Sequence, residues 1–274
     1  MSKVAIVEFN GNVYESLAEA LKLINNIDDL NTKKRTVTIK VGVFDPKSEA
    51  HSTVDVVDAI IKSFTKAPEI FVAESDNYRG TGSERLQIWK NLFNERVKPF
   101  NLSEDAEVKK VKIADEEISF SHILFKPNVL VSTHIARGYE KGSILKNLLG
   151  LIPDRKKARF HKKLETTLLD AFEAIGGIDL AVLDGTHAFA GTGIGEKGVQ
   201  MNTLLVGRDA VAVETVGATL AGLNPKEMPI IQKAVERGLG EGELDNIKIV
   251  GASFDSVKKK FASALTPKKG KRTA

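Results

Sequence analysis

The chain has 274 residues, of which 42% are hydrophobic and 28% charged, a composition typical of a globular protein with a sizeable core and unlike that of a largely disordered chain. It contains no cysteine, which excludes disulfides, thiolate zinc sites, a cysteine nucleophile and an iron–sulfur cluster ligated by this chain. The formal net charge is +4, and part of the excess lies in Lys and Arg residues between positions 258 and 272.

The sequence indicates a cytoplasmic protein with no membrane partner. Lys3 is followed by a short apolar run that Glu8 interrupts, well short of a signal-peptide core. No apolar run approaches the ~20 residues that span a bilayer. The basic end carries no recognisable nucleic-acid-binding motif beside it, so we interpret it as a solvated segment rather than a nucleic-acid arm.

The first half of the chain alternates strand-like and helix-like patterns. Residues 4–9 and 36–44 are rich in β-branched side chains, and residues 14–27 between them repeat apolar side chains at helical spacing. Residues 52–55 resemble a capping box that begins a helix, and residues 69–74 have the pattern of a further strand. This order predicts successive βαβ units.

Further along the chain, Ser83 is predicted to cap a helix that extends to Val97 with Trp89 in the core. Residues 108–113 and 118–125 are predicted to form a hairpin. Later elements are predicted in the following order: an apolar run at 129–131 that leads to His134, a helix at 160–175 ended by Gly176 and Gly177, strands at 180–183 and 203–206, a helix at 210–221 capped by Asp209, a helix at 225–237 and a strand at 247–251.

The whole pattern predicts an α/β fold with a mostly parallel sheet and helices on both faces. We expect residues 1–265 to form a single α/β domain, with two lobes around a cleft and meeting near residues 100–130 as the alternative arrangement. Residues 266–274 are expected to be a basic disordered tail, because they offer no apolar face and repel one another.

Polar side chains are densest from Lys126, around the apolar run at 129–131, to His161. Parallel sheets bind ligands beyond the carboxyl ends of their strands, so this segment is the first candidate for a site. The candidate residues are Lys126, Asn128, Thr133, His134, Lys146, Asn147 and His161. Gly138 and Gly142 suit a loop that runs into a helix, whose N-terminal amides favour a phosphate or carboxylate. The alternative interpretation is a solvated basic loop.

Two further polar clusters follow predicted strands. Asp184 and Gly185 precede the glycine-rich residues 191–198, which lack the Gly-Lys-Ser/Thr ending of a P-loop and are interpreted as a lid, a ligand-contacting loop or a turn. Glu74 begins a polar segment that either completes the cleft from the first half of the chain or makes a simple turn.

A divalent metal site made by His134, His161 and Asp184 is a further hypothesis, although no H-E-x-x-H spacing supports it. For each histidine, hydrogen bonding or surface exposure is the alternative. The predicted catalytic residues are His134, Lys146, His161 and Asp184. The predicted ligand-binding residues are Glu74, Lys126, Asn128, Thr133, Asn147 and Gly185.

Several segments resemble domain-of-unknown-function family 362, whose members are sometimes joined to ferredoxin-like modules. They are residues 132–134, 145–151, 155–161, 183–185 and 204–214. This chain has no such module, and the resemblance implies at most a redox or assembly partner protein. Gly138, Gly142, Lys146 and His161 are similar to a segment of the nickel-pincer lactate racemase family, which implies a cofactor-anchoring role for Lys146 and nickel ligation by His161.

The leading functional hypothesis is an enzyme or enzyme-like protein whose cleft holds a small anionic molecule. The rival is a non-catalytic binding or assembly protein that docks an acidic partner or polyanion through its basic segment. A third hypothesis is nucleic-acid binding through the tail and residues 155–163. The sequence alone does not choose among substrates, reactions, metals or cofactors.

Overall fold

The computed structural model describes residues 1–9, 11–195 and 197–265, in which strands and helices alternate. The strands are β1 (Lys3–Glu8), β2 (Val37–Lys40), β3 (Ile70–Glu74), β4 (Val97–Asn101), β5 (Val108–Ile113), β6 (Glu116–Ser121), β7 (Val129–Arg137), β8 (Leu180–Phe189), β9 (Val199–Gly207) and β10 (Lys248–Gly251). The α-helices are α1 (Val13–Leu23), α2 (Val54–Ser63), α3 (Gly82–Arg85), α4 (Leu164–Ala174), α5 (Ala210–Leu220), α6 (Pro229–Glu236) and α7 (Phe254–Leu265).

An eight-stranded sheet organises the fold, in the order β10-β1-β9-β8-β7-β2-β3-β4. Within the described ranges, only β9 runs antiparallel to its neighbours, β1 and β8, and the other pairings of this sheet are parallel. The prediction of an α/β fold with a mostly parallel sheet is confirmed. The chain passes from β2 to β3 and β4 on one side, and from β7 to β8 and β9 on the other, so the strand order reverses between β2 and β7.

Two apolar clusters cover the two faces of the sheet. Successive side chains of a strand point to opposite faces, and Val182 accordingly belongs to the cluster of α1 and α2 while Leu183 belongs to the cluster of α4, α5 and α7. Helix α5 is buried along its whole length, which explains why its sequence lacks an exposed polar face. This layering leaves ligands access mainly at the ends of the strands.

Two predicted caps differ from the observed ones. The N-cap of α2 is Thr53, but its hydroxyl makes no hydrogen bond to the helix amides, so no capping box forms there. Thr81, not Ser83, caps α3, and it forms a capping box with Glu84. The helix predicted to reach Val97 is α3 followed by a 3₁₀ turn (Leu86–Leu92), and Val97 begins β4. Apolar spacing alone did not separate helix from buried strand here.

Other local predictions agree with the structure. Strands β5 and β6 form the expected antiparallel hairpin, and the Asp209 side chain caps α5 by accepting a hydrogen bond of 3.0 Å from the amide of Ala212. Trp89 is fully buried. No helix in the described part of the chain is long and apolar enough to cross a bilayer. The predicted tail, residues 266–274, lies outside the described residues.

Candidate functional site

A cavity of about 330 Å³ lies beyond the carboxyl ends of β2, β3 and β7. Its walls come from the loops after these strands, from 3₁₀ turns at Lys146–Leu151 and Lys157–Lys163, and from the loop after β8. The cavity therefore lies where the strand order reverses, which is the usual ligand position in open α/β sheets. The topology alone makes it the first candidate for a functional site.

Five of the residues predicted from the sequence line this cavity. They are Glu74, His134, Lys146, Asn147 and His161. Glu74 ends β3 and His134 lies near the end of β7, while the other three belong to the two 3₁₀ turns. The chain segments that carry them are far apart in sequence, and the sheet brings them together.

Beneath the cavity, Lys40 at the end of β2 makes a buried polar network. Its ammonium donates to the Oε1 atom of Glu74 at 2.6 Å, to the Oδ1 atom of Asn147 at 2.9 Å and to the backbone oxygen of Val41 at 2.7 Å. Arg85 donates to the other carboxylate oxygen of Glu74 at 2.8 Å. The network fixes the 3₁₀ turn that carries Asn147 against the ends of β2 and β3.

Glu74 is ionised in this network. Burial by itself raises the pKa of the carboxyl, but Arg85, Lys40 and Lys157 favour the charged form and together hold the pKa below its ordinary value. The single carboxylate thus faces three cationic side chains. The positive charge around it is only partly neutralised.

Two glycines allow this close packing. A Cβ atom on Gly150 would lie 2.5 Å from the Nζ atom of Lys40 and 2.7 Å from Oε1 of Glu74. A Cβ atom on Gly42 would lie 2.2 Å from Cδ2 of His134. Real Cβ atoms do not approach so closely, so alanine at either position requires the network or the His134 ring to shift.

Two lysines of the cavity wall have strongly lowered pKa values. The pKa of Lys157 is lowered to about 7, mainly by burial. Glu74 raises this pKa, whereas repulsion from Arg85 and Lys40 lowers it. Burial also lowers the pKa of Lys146 to about 7, with Arg137 and Lys141 adding repulsion. The Lys157 ammonium donates to the Oγ atom of Ser75 at 2.5 Å. Lys146 makes no side-chain hydrogen bond or ion pair within the described residues.

Both histidines of the cavity are neutral at pH 7. Burial lowers the pKa of His134 well below its ordinary value, and Arg137 adds to the effect. The Nδ1 atom of His134 lies 3.1 Å from the backbone oxygen of Ile135, which can only accept, so Nδ1 carries the hydrogen and Nε2 is left as an acceptor. Burial, Lys146 and Lys141 also lower the pKa of His161.

The anion site predicted at the loop after Gly142 is filled by the protein itself. The carboxylate of Glu214 on α5 accepts hydrogen bonds from the amide of Ser143 at 2.9 and 3.0 Å and from the amide of Leu145 at 2.8 Å. Burial raises the pKa of Glu214, and these amides and Arg137 oppose the rise. The loop amides are consequently not available to a ligand. Their hydrogen bonds to Glu214 hold the chain in place just before Lys146.

Asp184 does not lie in the cavity. Its side chain points to the α2 face of the sheet, opposite to His134, because Asp184 follows Leu183 and strand side chains alternate. Its Oδ2 atom accepts from the amide and hydroxyl of Thr53 at 2.7 and 2.8 Å, and its Oδ1 atom accepts from the amide and hydroxyl of Thr186 at 3.0 and 2.7 Å. Asp184 thus replaces the missing cap of α2.

This placement separates the predicted metal ligands. His134 and Asp184 lie on opposite faces of the sheet, and His161 lies at the cavity wall. Among the described residues, no group of three or more His, Asp or Glu side chains is arranged to hold a metal ion. The geometry therefore does not form the His134–His161–Asp184 site that the sequence suggested.

Four other predicted ligand-binding residues also lie outside the cavity. Lys126 pairs with Asp179 and Asn128 accepts from Thr36 at 2.6 Å, both at the amino ends of β7 and β8. Thr133 is buried on the face of β7 opposite to His134. Gly185 allows β8 to approach β9, since a Cβ atom there would lie 2.5 Å from the backbone oxygen of Thr203.

Sequence reasoning did not select four cationic residues of the cavity wall, namely Arg85, Arg137, Arg155 and Lys157. Arg155 and Lys157 belong to the basic segment that was interpreted as solvated or partner-docking. Arg85 is almost fully buried, and its position beside Leu86 in an apolar helix pattern was the signal that could have revealed it.

The fold and cavity define an α/β protein with a cation-rich pocket at the reversal point of a mostly parallel sheet. The chain belongs to the family described as Domain of unknown function (DUF362), whose model matches residues 37–219. No curated protein matches the chain. The described residues that line the cavity, from Val43 to Ile194, all fall within the matched range.

Proposed function

We propose that the cavity binds a small organic anion, a carboxylate or a phosphate ester, and that this binding underlies the protein's function. The observation that carries the proposal is the charge of the wall, where Arg85, Arg137, Lys146, Arg155 and Lys157 accompany two carboxylates among the described residues, Glu74 and Asp45. One of these carboxylates is already engaged by Lys40 and Arg85. An anion in the cavity supplies the missing negative charge.

The cavity also suits the uncharged part of an organic molecule. Phe44, Tyr78, Tyr139 and Ile194 contribute aromatic and apolar surface to its wall. A volume of about 330 Å³ is at the lower end of the range of small-molecule sites. The combination of apolar walls and a few convergent charges supports a small organic anion over a bare inorganic ion.

The alternative of an acidic partner docking on the basic segment has less support. Arg159 already pairs with Glu116 at 3.0 Å and also with Asp154, and Lys163 pairs with Asp115 at 3.5 Å. Lys157 is buried in the cavity wall. Much of the charge of this segment is therefore neutralised by the chain or directed inward, which favours the cavity as the site of anion binding.

Calorimetric titration with benzoate and with succinate tests the proposal. We expect at least one of them to bind the wild-type protein at slightly acid pH and to bind a Lys146→Met/Lys157→Met variant at least tenfold more weakly. A Lys33→Met/Lys34→Met variant removes the same charge from an exposed loop at the opposite end of β2 and is the matched control. Equal affinity of the two variants would refute the proposal.

A further inference from the structure

Lys146 differs from the other two lysines around the cavity. The Lys40 ammonium has three acceptors and the Lys157 ammonium has the Ser75 hydroxyl. The Lys146 side chain lines the same cavity but makes no hydrogen bond or ion pair with any described residue. A lysine placed only for structure would be expected to have such a partner, since burying an unpaired ammonium is costly.

A large fraction of the Lys146 amine is in the neutral state that nucleophilic chemistry needs. A lysine becomes a nucleophile when burial or a neighbouring cation removes its proton near neutral pH. Burial together with Arg137 and Lys141 brings the pKa of Lys146 to about 7, so that about half of the amine is neutral at that pH. Because Lys146 donates to no acceptor among the described residues, its amine is free to turn toward a bound molecule.

We propose that Lys146 forms a Schiff base with a small anionic aldehyde or ketone, such as a 2-oxo acid, that enters the cavity. The inference rests on the proposed function, because the cationic wall is what brings the anion to the amine. Arg137, Arg155 and Lys157 line the same cavity and can hold the carboxylate. Among the described residues, Lys146 is the cavity lysine that has no hydrogen-bond or ion-pair partner.

The reaction is a condensation without oxidation or reduction. The nitrogen lone pair attacks the carbonyl carbon and forms the carbon–nitrogen bond of a carbinolamine. The two hydrogens of the neutral amine then leave with the former carbonyl oxygen as one molecule of water. The neutral imidazoles of His134 and His161 line the same cavity and can carry protons between nitrogen and oxygen during these steps.

The charged and titratable groups around the amine set the pH dependence of the reaction. They are Arg137 and His134 on β7, Lys141 in the following loop and His161 in the 3₁₀ turn at Lys157–Lys163. Lys157, which also has a pKa of about 7, affects the rate through binding of the oxo acid, so the rate is measured at saturating oxo acid. Under that condition the rate of Schiff-base formation is expected to rise about tenfold between pH 6 and pH 8, as the neutral fraction of an amine with a pKa near 7 does.

Borohydride trapping tests the inference on the full-length protein. Pyruvate or phenylpyruvate is added with sodium borohydride, and the modified lysines are located by peptide mass spectrometry. We expect modification of Lys146 well above that of any surface lysine. A Lys146→Arg variant keeps the charge and should lose the fast labelling, whereas Lys33→Arg, an exposed control, should not. Labelling spread over surface lysines, or equal labelling of the Lys146→Arg variant, would overturn the inference.

A second measurement uses only the wild-type protein and therefore does not depend on whether the variants fold. The rate at which acetic anhydride modifies Lys146 is followed against pH, with exposed lysines as internal references. An apparent pKa near 7 supports the inference, and a value near that of a free lysine, about 10.4, contradicts it. If benzoate or succinate binds but no oxo acid is trapped, the Schiff base is wrong and anion binding stands. If neither binding nor trapping occurs, both proposals fail.

Discussion

Lys40 and Glu74 are thirty-four positions apart in the chain, yet their charged groups lie 2.6 Å from each other under the cavity. They end the neighbouring parallel strands β2 and β3, and both side chains are almost completely buried. The pair joins the two strands on which one side of the cavity is built. A buried pair of this kind is costly to break, because the remaining charge is left without a partner.

Replacing Lys40 by Met should therefore destabilise the protein by about 3–5 kcal/mol, the usual cost of removing one member of a buried ion pair. Urea denaturation followed by circular dichroism measures the change. Lys62→Met is the control, since Lys62 and Asp58 are also 2.6 Å apart but on the surface of α2. Comparable destabilisation in the two variants would show that burial of the Lys40 pair is unimportant.

Glu74 should also contribute to the acid stability of the fold. Burial raises its pKa, but Arg85, Lys40 and Lys157 outweigh this and hold the pKa below that of the unfolded chain. A carboxyl with a lowered folded pKa stabilises the protein above its unfolded pKa, near 4.3, and the contribution is lost as the pH falls through the folded value. Glu74→Gln should weaken the fold at neutral pH and make its stability less dependent on pH in the acid range. An unchanged pH profile of the unfolding free energy would contradict this.

Asp184 is expected to matter for stability and not for ligand binding. Its carboxylate accepts four hydrogen bonds from Thr53 and Thr186 and caps α2 on the face opposite to His134. Asp184→Ala should lower the free energy of unfolding by about 1–3 kcal/mol, because it leaves buried donors unsatisfied. Affinity for benzoate, measured where the variant is fully folded, should remain as in the wild type. A loss of benzoate affinity with unchanged stability would show that Asp184 contributes to ligand binding.

Glu214 should act on the cavity through the loop that it holds. Glu214→Ala leaves the amides of Ser143 and Leu145 without their acceptor and should cost about 1–3 kcal/mol of stability. Because these residues immediately precede Lys146, we also expect several-fold weaker benzoate binding and slower trapping of pyruvate. Glu214→Gln keeps one acceptor oxygen and should recover part of both. Full affinity and trapping in the alanine variant would show that the loop needs no such anchor.

The parts of this molecule that follow from local sequence were predictable. Alternating patterns predicted the sheet and most of its strands, and position near the end of β7 or within the following turns was enough to select His134, Lys146, Asn147 and His161. The face to which a strand side chain points depends on the register of the whole sheet, so Asp184 and Thr133 were placed in the site when they belong to the opposite face.

Tertiary partners explain the remaining differences. The amides after Gly142 were predicted to bind a ligand, but Glu214, about seventy positions away, occupies them. Lys157 was part of a basic segment that local composition describes as solvated, yet packing against β3 buries it beside Ser75 and Glu74. Neither the contact of Glu214 with the loop nor the burial of Lys157 can be predicted from a short stretch of sequence, because each depends on residues far apart in the chain.

The pH dependence of benzoate binding, measured by calorimetry on the wild-type protein, tests the cationic cavity most directly. Lys146 and Lys157 have pKa values of about 7, so both lose charge as the pH rises above neutrality while benzoate stays anionic. We predict that the affinity falls by at least about tenfold for each pH unit well above 7, the linkage expected when one of the two lysines must be protonated, and more steeply when both must be. The Lys146→Met/Lys157→Met variant should show neither the affinity nor the slope. Binding that is independent of pH, and equally strong in that variant, would contradict the account.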